Sequence, residues 1–169
     1  NLPLIDSLIK TKKPLILSTG MSSNDEIKCT VDFLNKRNAF FILLHCNSTY
    51  PAPFHDLNLP YVKDLIKLSP SKIVGWSGHE RGWHIVRAAI GIGAKIVEKH
   101  FTVDKKLEGN DHQVSLLPSE FKAMVNEIRD IEKAMLYQSH RELSQGEMMN
   151  KENLSKSLAS KHRFKKGHI

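Results

Sequence analysis

Lys72-Ile-Val-Gly-Trp-Ser-Gly-His79, then a run of small apolar residues, then Lys95-Ile-Val-Glu-Lys-His-Phe-Thr102, is the stretch on which the fold turns. Two short β-branched runs each lead to a histidine. Residues 82–93 between them carry Ile85, Val86, Ala88, Ala89 and Ile90 and almost nothing polar, which predicts a well-covered helix. In a strand, residues two apart share a face, so Ser77 goes with His79 and Glu98 with His100. If the two strands are parallel neighbours, both histidines arrive together at the carboxyl end of a sheet, where α/β proteins build their sites. That pairing is open to two readings: a metal-centred site, or two hydrogen-bonded structural histidines at strand ends.

The same alternation recurs on either side. Leu15-Ile-Leu17 and Phe40-Phe-Ile-Leu-Leu-His45 are further short apolar runs. The second is apolar on both faces, as a parallel strand buried on both sides is. Ser23-Asn-Asp-Glu26 has the form of a capping box and opens a helix to about Lys36, with Ile27, Val31 and Leu34 turned inward. Residues 57–68 place Leu59, Val62, Leu65 and Ile66 on one helical face, and residues 4–12 do the same with Leu4, Ile5, Leu8 and Ile9. Pro118 begins a last helix, to about Tyr137, whose stripe is Phe121, Met124, Val125, Ile128, Ile131 and Met135. Residues 102–117 form a long polar connection, of a length that in compact domains marks a functional or disordered loop. Four strand–helix units in a row imply a parallel sheet beneath helices. A small doubly wound sheet and half of an eight-stranded barrel fit this pattern equally.

The bulk properties narrow the function classes. A chain of 169 residues can bury a real core, and 40% apolar with 25% charged residues fits a soluble globular protein. No apolar run is long enough to span a bilayer, and no signal-peptide pattern opens the chain, so no membrane role is expected. Cys29 and Cys46 form no metal or redox motif, which favours a reducing, cytoplasmic setting. The net charge of +7 comes mostly from residues 151–169, a basic tail on a near-neutral body. Nucleic-acid binding calls for a basic face with stacking groups, so no nucleic-acid partner is expected, and the tail reads as a solvated linker. The chain starts with Asn, with a helix already under way at Leu2-Pro-Leu-Ile5, as a piece of a longer protein would.

Taken together, the strand ends are Ser18-Thr-Gly-Met21, His45-Cys-Asn-Ser-Thr-Tyr-Pro51, Trp76-Ser-Gly-His-Glu80 and Glu98-Lys-His-Phe-Thr102, followed by Gly109-Asn-Asp-His112. In this order and spacing they resemble the sialic acid synthase family, which condenses phosphoenolpyruvate with an N-acylated amino sugar such as N-acetylmannosamine. The similarity runs from Lys13 through the final helix. Family members usually read Thr where Asn47 stands, and many bacterial ones carry Asp at the position of Gly78; the Ser-Gly-His-Glu form looks like the animal-type branch and some bacterial relatives. The resemblance implies an α/β fold of the TIM-type (β/α)8 barrel family, with residues 1–140 as its last four units. Residues 141–169 would be a linker and the start of an antifreeze-like domain, its first strand within residues 155–167. Residues that grip phosphoenolpyruvate from the first half, and a basic residue from the second domain, would then lie outside this chain. The full enzyme would be a homodimer.

Residue by residue, the resemblance makes His79 and His100 the ligands of a divalent ion, manganese or magnesium. It makes Glu98 a base or water-orienting group, and Asp111 a loop carboxylate that bonds the sugar. Ser18 and Ser77 would help hold phosphate, and Tyr50 would touch substrate. Each residue also has a plainer reading. Ser18 and Ser77 could cap the helices that follow them, and Asp111 could brace a Gly-Asn turn. His45 could be a buried histidine bonded to a loop, Cys46 a small buried apolar residue, and Trp76 and Trp83 packing against helices. A non-catalytic half-barrel that pairs or self-associates through its open strand edges is the alternative to an enzyme module.

Overall fold

The four apolar runs pair in chain order. In the computed structural model, which describes residues 1–167, β1 (Leu15–Ser18), β2 (Phe41–Cys46), β3 (Val74–Gly78) and β4 (Ile96–Lys99) form one parallel sheet ordered β1-β2-β3-β4. Helices α1 (Leu2–Ile9), α2 (Asn24–Asn35), α3 (Tyr61–Leu68), α4 (His84–Gly91) and α6 (Pro118–Ala134) alternate with the strands, and a single turn, α5 (Asp111–Val114), lies in the last connection. A sheet of this kind needs cover for its apolar faces, and the helices supply it on one side.

Register assigns the two faces. Leu15 pairs with Phe41, Leu43 with Val74, His45 with Trp76, and Gly78 with Lys99. Leu15, Phe41, Leu43, Val74 and Trp76 belong to the core that also holds Val31 and Leu34 of α2, Val62 and Leu65 of α3, Val86 and Ala89 of α4, and Met124 of α6. The other face carries Ile16, Ser18, Leu44, Cys46, Ser77 and Glu98, and Ile16 is 54% exposed there. One face is thus packed under helices and the other lies open at β1, as in a half-barrel.

Local chemistry sets the element ends. Ser23 caps α2 with the complete reciprocal box: its hydroxyl takes the Glu26 N–H, and the Glu26 carboxylate takes the Ser23 N–H at 2.7 Å. Ile27, Val31 and Leu34 are buried as the spacing predicts. The helix expected over 57–68 begins only at Tyr61, behind a 3-10 turn at Phe54–Asp56. Pro60 is tolerated at a helix start and not inside one, and Leu57 goes into the core from the preceding turn. The connection over 102–117 is ordered rather than free. It turns back on the strand end, with the Leu116 N–H bonded to the His100 carbonyl and the Thr102 N–H to the Leu116 carbonyl.

From Tyr137 the chain forms a second unit. It contains α7 (Gln145–Leu154), an unexpected helix capped by a reciprocal Ser144–Glu147 box. The strand expected within residues 155–167 is not formed; those described residues have neither helix nor strand.

Candidate functional site

At the carboxyl ends of β3 and β4, strand alternation brings four side chains to the open face. Ser77 Oγ donates to Glu98 Oε1 at 2.7 Å across the two strands. His79 and His100 are the first residues beyond β3 and β4, and their rings lie 5.0 Å apart at 66°. His79 is almost fully buried and held from two sides. Its carbonyl accepts the Ala52 N–H at 3.1 Å, and its Nδ1 lies 2.7 Å from the Asn47 carbonyl oxygen. A carbonyl can only accept, so Nδ1 carries the proton and the Nε2 lone pair is left for a ligand. Cys46 Sγ sits 3.7 Å from the same Nδ1, so it is a half-buried residue of this site and not simply core filling.

The loop after β2 closes one wall. The Tyr50 ring lies 4.1 Å from that of His79 and 5.5 Å from that of His100. Burial raises the Tyr50 phenol above its ordinary value, and nearby Cys46, Asp111 and Glu98 add to this. Burial likewise pushes His100 down, and the neighbouring His79 pushes it further, against the pull of Asp111 and Glu98. These groups therefore feel one another's charge. Asp111 opens α5 and is exposed, its carbonyl bonded to the Ser115 N–H and hydroxyl.

Not every expected residue converges. Ser18 ends β1 on the open face, and its hydroxyl accepts the Gly20 N–H at a long 3.4 Å, within its own turn. Neither Ser18 nor Ser77 caps a helix; those positions belong to Ser23 and Trp83. The Ser77 hydroxyl donates its hydrogen bond to Glu98, so its clearest role is to orient that carboxylate. His45 faces the helices, with Nε2 bonded to the Leu57 carbonyl at 2.7 Å and its ring between Tyr61 and Trp76. Trp76 is buried in the helix-side core, and Trp83 Nε1 reaches Glu127 of α6 at 2.6 Å.

Sequence reasoning passed over Glu80 and Lys99, which meet behind the histidines with side chains fully buried. The available signal was a lysine whose alternation points it away from Glu98 and His100, under helices, where a lone ammonium is costly. Burial pushes the Lys99 ammonium down while the Glu80 carboxylate pulls it back up.

Two imidazoles 5.0 Å apart, one with its tautomer fixed by a carbonyl, suit a divalent ion. Among the described residues no group of three His, Cys, Asp or Glu side chains is gathered to enclose a metal. Two imidazoles would leave most of an ion's positions to water and substrate oxygen, as an open centre does and a closed structural site does not.

Comparison with known proteins identifies the family. The chain is 43% identical to an N,N'-diacetyllegionaminic acid synthase of Campylobacter jejuni and 37% identical to the human N-acetylneuraminate-9-phosphate synthase, in each case over the whole of this chain. It covers 51% and 47% of those proteins, so it spans about half the length of the curated relatives it matches. The fold superposes with a TM-score of 0.76 on the crystal structure of an N-acetylneuraminic acid synthetase from Leptospira borgpetersenii in complex with citrate, at 34% identity over 91% of this chain and 54% of that one. A spore coat polysaccharide biosynthesis protein of Bacillus subtilis gives a TM-score of 0.75 at 32% identity, over 85% of this chain and 41% of that one. The NeuB family model matches residues 1–140, and the chain belongs to the NeuB family.

Proposed function

We propose that the protein carrying this chain joins phosphoenolpyruvate to an N-acylated amino sugar, giving a nonulosonic acid and inorganic phosphate. The observation behind this is the His79–His100 pair with Ser77–Glu98 on the same face, in a chain of this family. Residues 1–140 are then the last four units of a TIM-type (β/α)8 barrel, and the chain beyond leads into an antifreeze-like domain. The sheet's open face supports this reading, because strands of a first half-barrel would cover it. A cytoplasmic homodimer is the expected setting, and the isolated chain is expected to be inactive.

His79, through Nε2, and His100 would hold manganese or magnesium. When bound, that ion supplies Lewis-acid polarisation of the sugar's aldehyde oxygen. Tyr50 walls the site and excludes water from one side of the imidazoles. Overall, the methylene carbon of phosphoenolpyruvate bonds to the aldehyde carbon, water adds at the enol carbon, and phosphate leaves by C–O cleavage. Glu98, held by Ser77, orients the attacking water and takes its proton. Asp111 accepts from a sugar hydroxyl, and the Ser18 hydroxyl helps position phosphate without supplying charge.

The test is phosphate release from phosphoenolpyruvate by the intact protein with manganese and each candidate sugar. Release with at least one N-acylated amino sugar is the expected result; no release with any of them overturns the proposal. In the same protein, His79→Ala with His100→Ala should abolish manganese binding, and unchanged affinity would sink the metal assignment. A second reading, a pairing module without activity of its own, is favoured by the open β1 edge and exposed Ile16. A stable, soluble monomer of the isolated chain counts against it.

A further inference from the structure

Directly behind the histidines, on the helix side of the sheet, Glu80 and Lys99 are closed off from water. Glu80 follows His79 in sequence, and Lys99 precedes His100. Lys99 Nζ lies 3.3 Å from Glu80 Oε1 and also donates to the Glu80 backbone carbonyl. Trp76 Nε1 reaches the same carboxylate oxygen at 3.4 Å. Glu80 Oε2 is buried with no hydrogen-bond partner, which leaves Lys99 to compensate the charge. Gly78 makes the arrangement possible. A Cβ there would come within 2.5 Å of both Glu80 Oε2 and Trp76 Nε1, so the carboxylate and the indole occupy the space a side chain would need.

The last rung of the β3–β4 ladder pairs Gly78 with Lys99. The Glu80–Lys99 contact carries the connection one step further, by side chain, where backbone pairing stops. His79 and His100 stand at that point, one on each strand. Net stability does not account for the pair, because buried ion pairs can often be replaced by apolar groups with little loss. What directed bonds supply, and an apolar pair does not, is a fixed distance and orientation between the two strand ends.

We infer that Glu80 and Lys99 are positioning residues that set the separation of His79 and His100. The chemical consequence rests on the metal reading above. The experiment uses the intact protein with Glu80→Leu and Lys99→Met together, a change that removes both charges at similar volume. Urea unfolding checks that the fold is kept. Manganese titration reads affinity, and spectra of 15N-labelled histidine in metal-free protein read the His79 Nδ1–H resonance bonded to Asn47. The expected result is a folded variant with about tenfold weaker manganese binding, the low end of what partners of metal ligands contribute, and shifted His79 and His100 ring signals. A folded variant with unmoved ring signals and unchanged affinity overturns the inference. Should the double variant fail to fold, Glu80→Asp keeps both charges and shortens the reach of the carboxylate by one methylene; shifted ring signals support the inference, and unmoved ones overturn it. His79→Ala with His100→Ala in the same titration tests the metal reading separately. If that variant still binds manganese, the metal reading fails, while the metal-free ring signals continue to decide the clamp.

Discussion

Two carboxylates within one short stretch of this protein meet opposite fates. Glu98 is exposed, held by the Ser77 hydroxyl, and shares the open face with two imidazoles. Glu80 is wholly enclosed, set against the Lys99 ammonium and the Trp76 indole. The period of two along each strand decides which is which. It sends Ser77 and Glu98 to the face that carries the histidines, and Trp76 and Lys99 to the face where helices close. On the proposed function the first carboxylate does the chemistry, and on the further inference the second restrains the strand ends. The comparison yields a separation that mutation can break: changes on the closed face should cost stability, and changes on the open face should cost activity.

The largest effect is expected where a buried charge loses its partner. Glu80→Ala leaves Lys99 uncompensated under the helices, and Lys99→Ala does the same to Glu80. Either should lower unfolding stability by about 3–5 kcal/mol, read as a shift of the urea midpoint at unchanged slope. A loss below about 1 kcal/mol would mean that water reaches the pair, and the contrast between the faces would fall. Gly78→Ala comes next. Its methyl would meet Glu80 Oε2 and Trp76 Nε1 at 2.5 Å, and crowding of this kind costs about 1–3 kcal/mol. Should Gly78→Ala leave the melting temperature unchanged, the carboxylate is not packed over residue 78.

His45 offers a smaller, pH-dependent test on the same closed face. Burial holds it below its ordinary value, against the bonds from Leu57 and Asn58 that pull it up. Its Nδ1 is buried without a partner. The native state therefore prefers the neutral ring, while the unfolded chain takes a proton near pH 6.5. Its contribution is complete above that value and is lost as pH falls from about 6.5 through the lower folded pKa, because there the unfolded state binds more protons. Unfolding midpoints should fall across that window, and His45→Gln should flatten the fall. An equal slope in the variant would assign the acid sensitivity to other groups, His100 among them.

Strands, helix faces and the histidine pair were legible because they depend on periodicity, which a sequence displays directly. Ile27, Val31 and Leu34 lie where a 3.6-residue period puts them, and Ser77 and His79 where a period of two does. The Glu80–Lys99 pair was not legible. Its partners are 19 residues apart, and their meeting depends on strand register and on the space left by Gly78. Asn47 escaped for another reason: it holds His79 through its backbone carbonyl, which no side-chain pattern reveals. The late start of α3 was written in Pro60, and α7 in Ser144 and Glu147; α7 buries no residue, so apolar spacing does not reveal it.

The smallest stability effect is expected at Glu98, and there the comparison is sharpest. Glu98→Gln keeps an oxygen that can accept from Ser77 and removes only the charge. On an exposed strand position that change should leave stability within about 0.5 kcal/mol. Its effect on turnover should be of a different order. If Glu98 takes the proton of the attacking water, phosphate release should fall by roughly 10²–10⁴-fold, the usual contribution of a general base. Ser77→Ala, which frees the carboxylate without neutralising it, should cost less than Glu98→Gln in the same assay. Release unchanged in both variants would make the Ser77–Glu98 bond an ordinary cross-strand contact and transfer the proton to another group near the histidines. Release lost in Glu98→Gln with the urea midpoint unmoved would show that one strand end divides its work by face, chemistry on one side and restraint on the other.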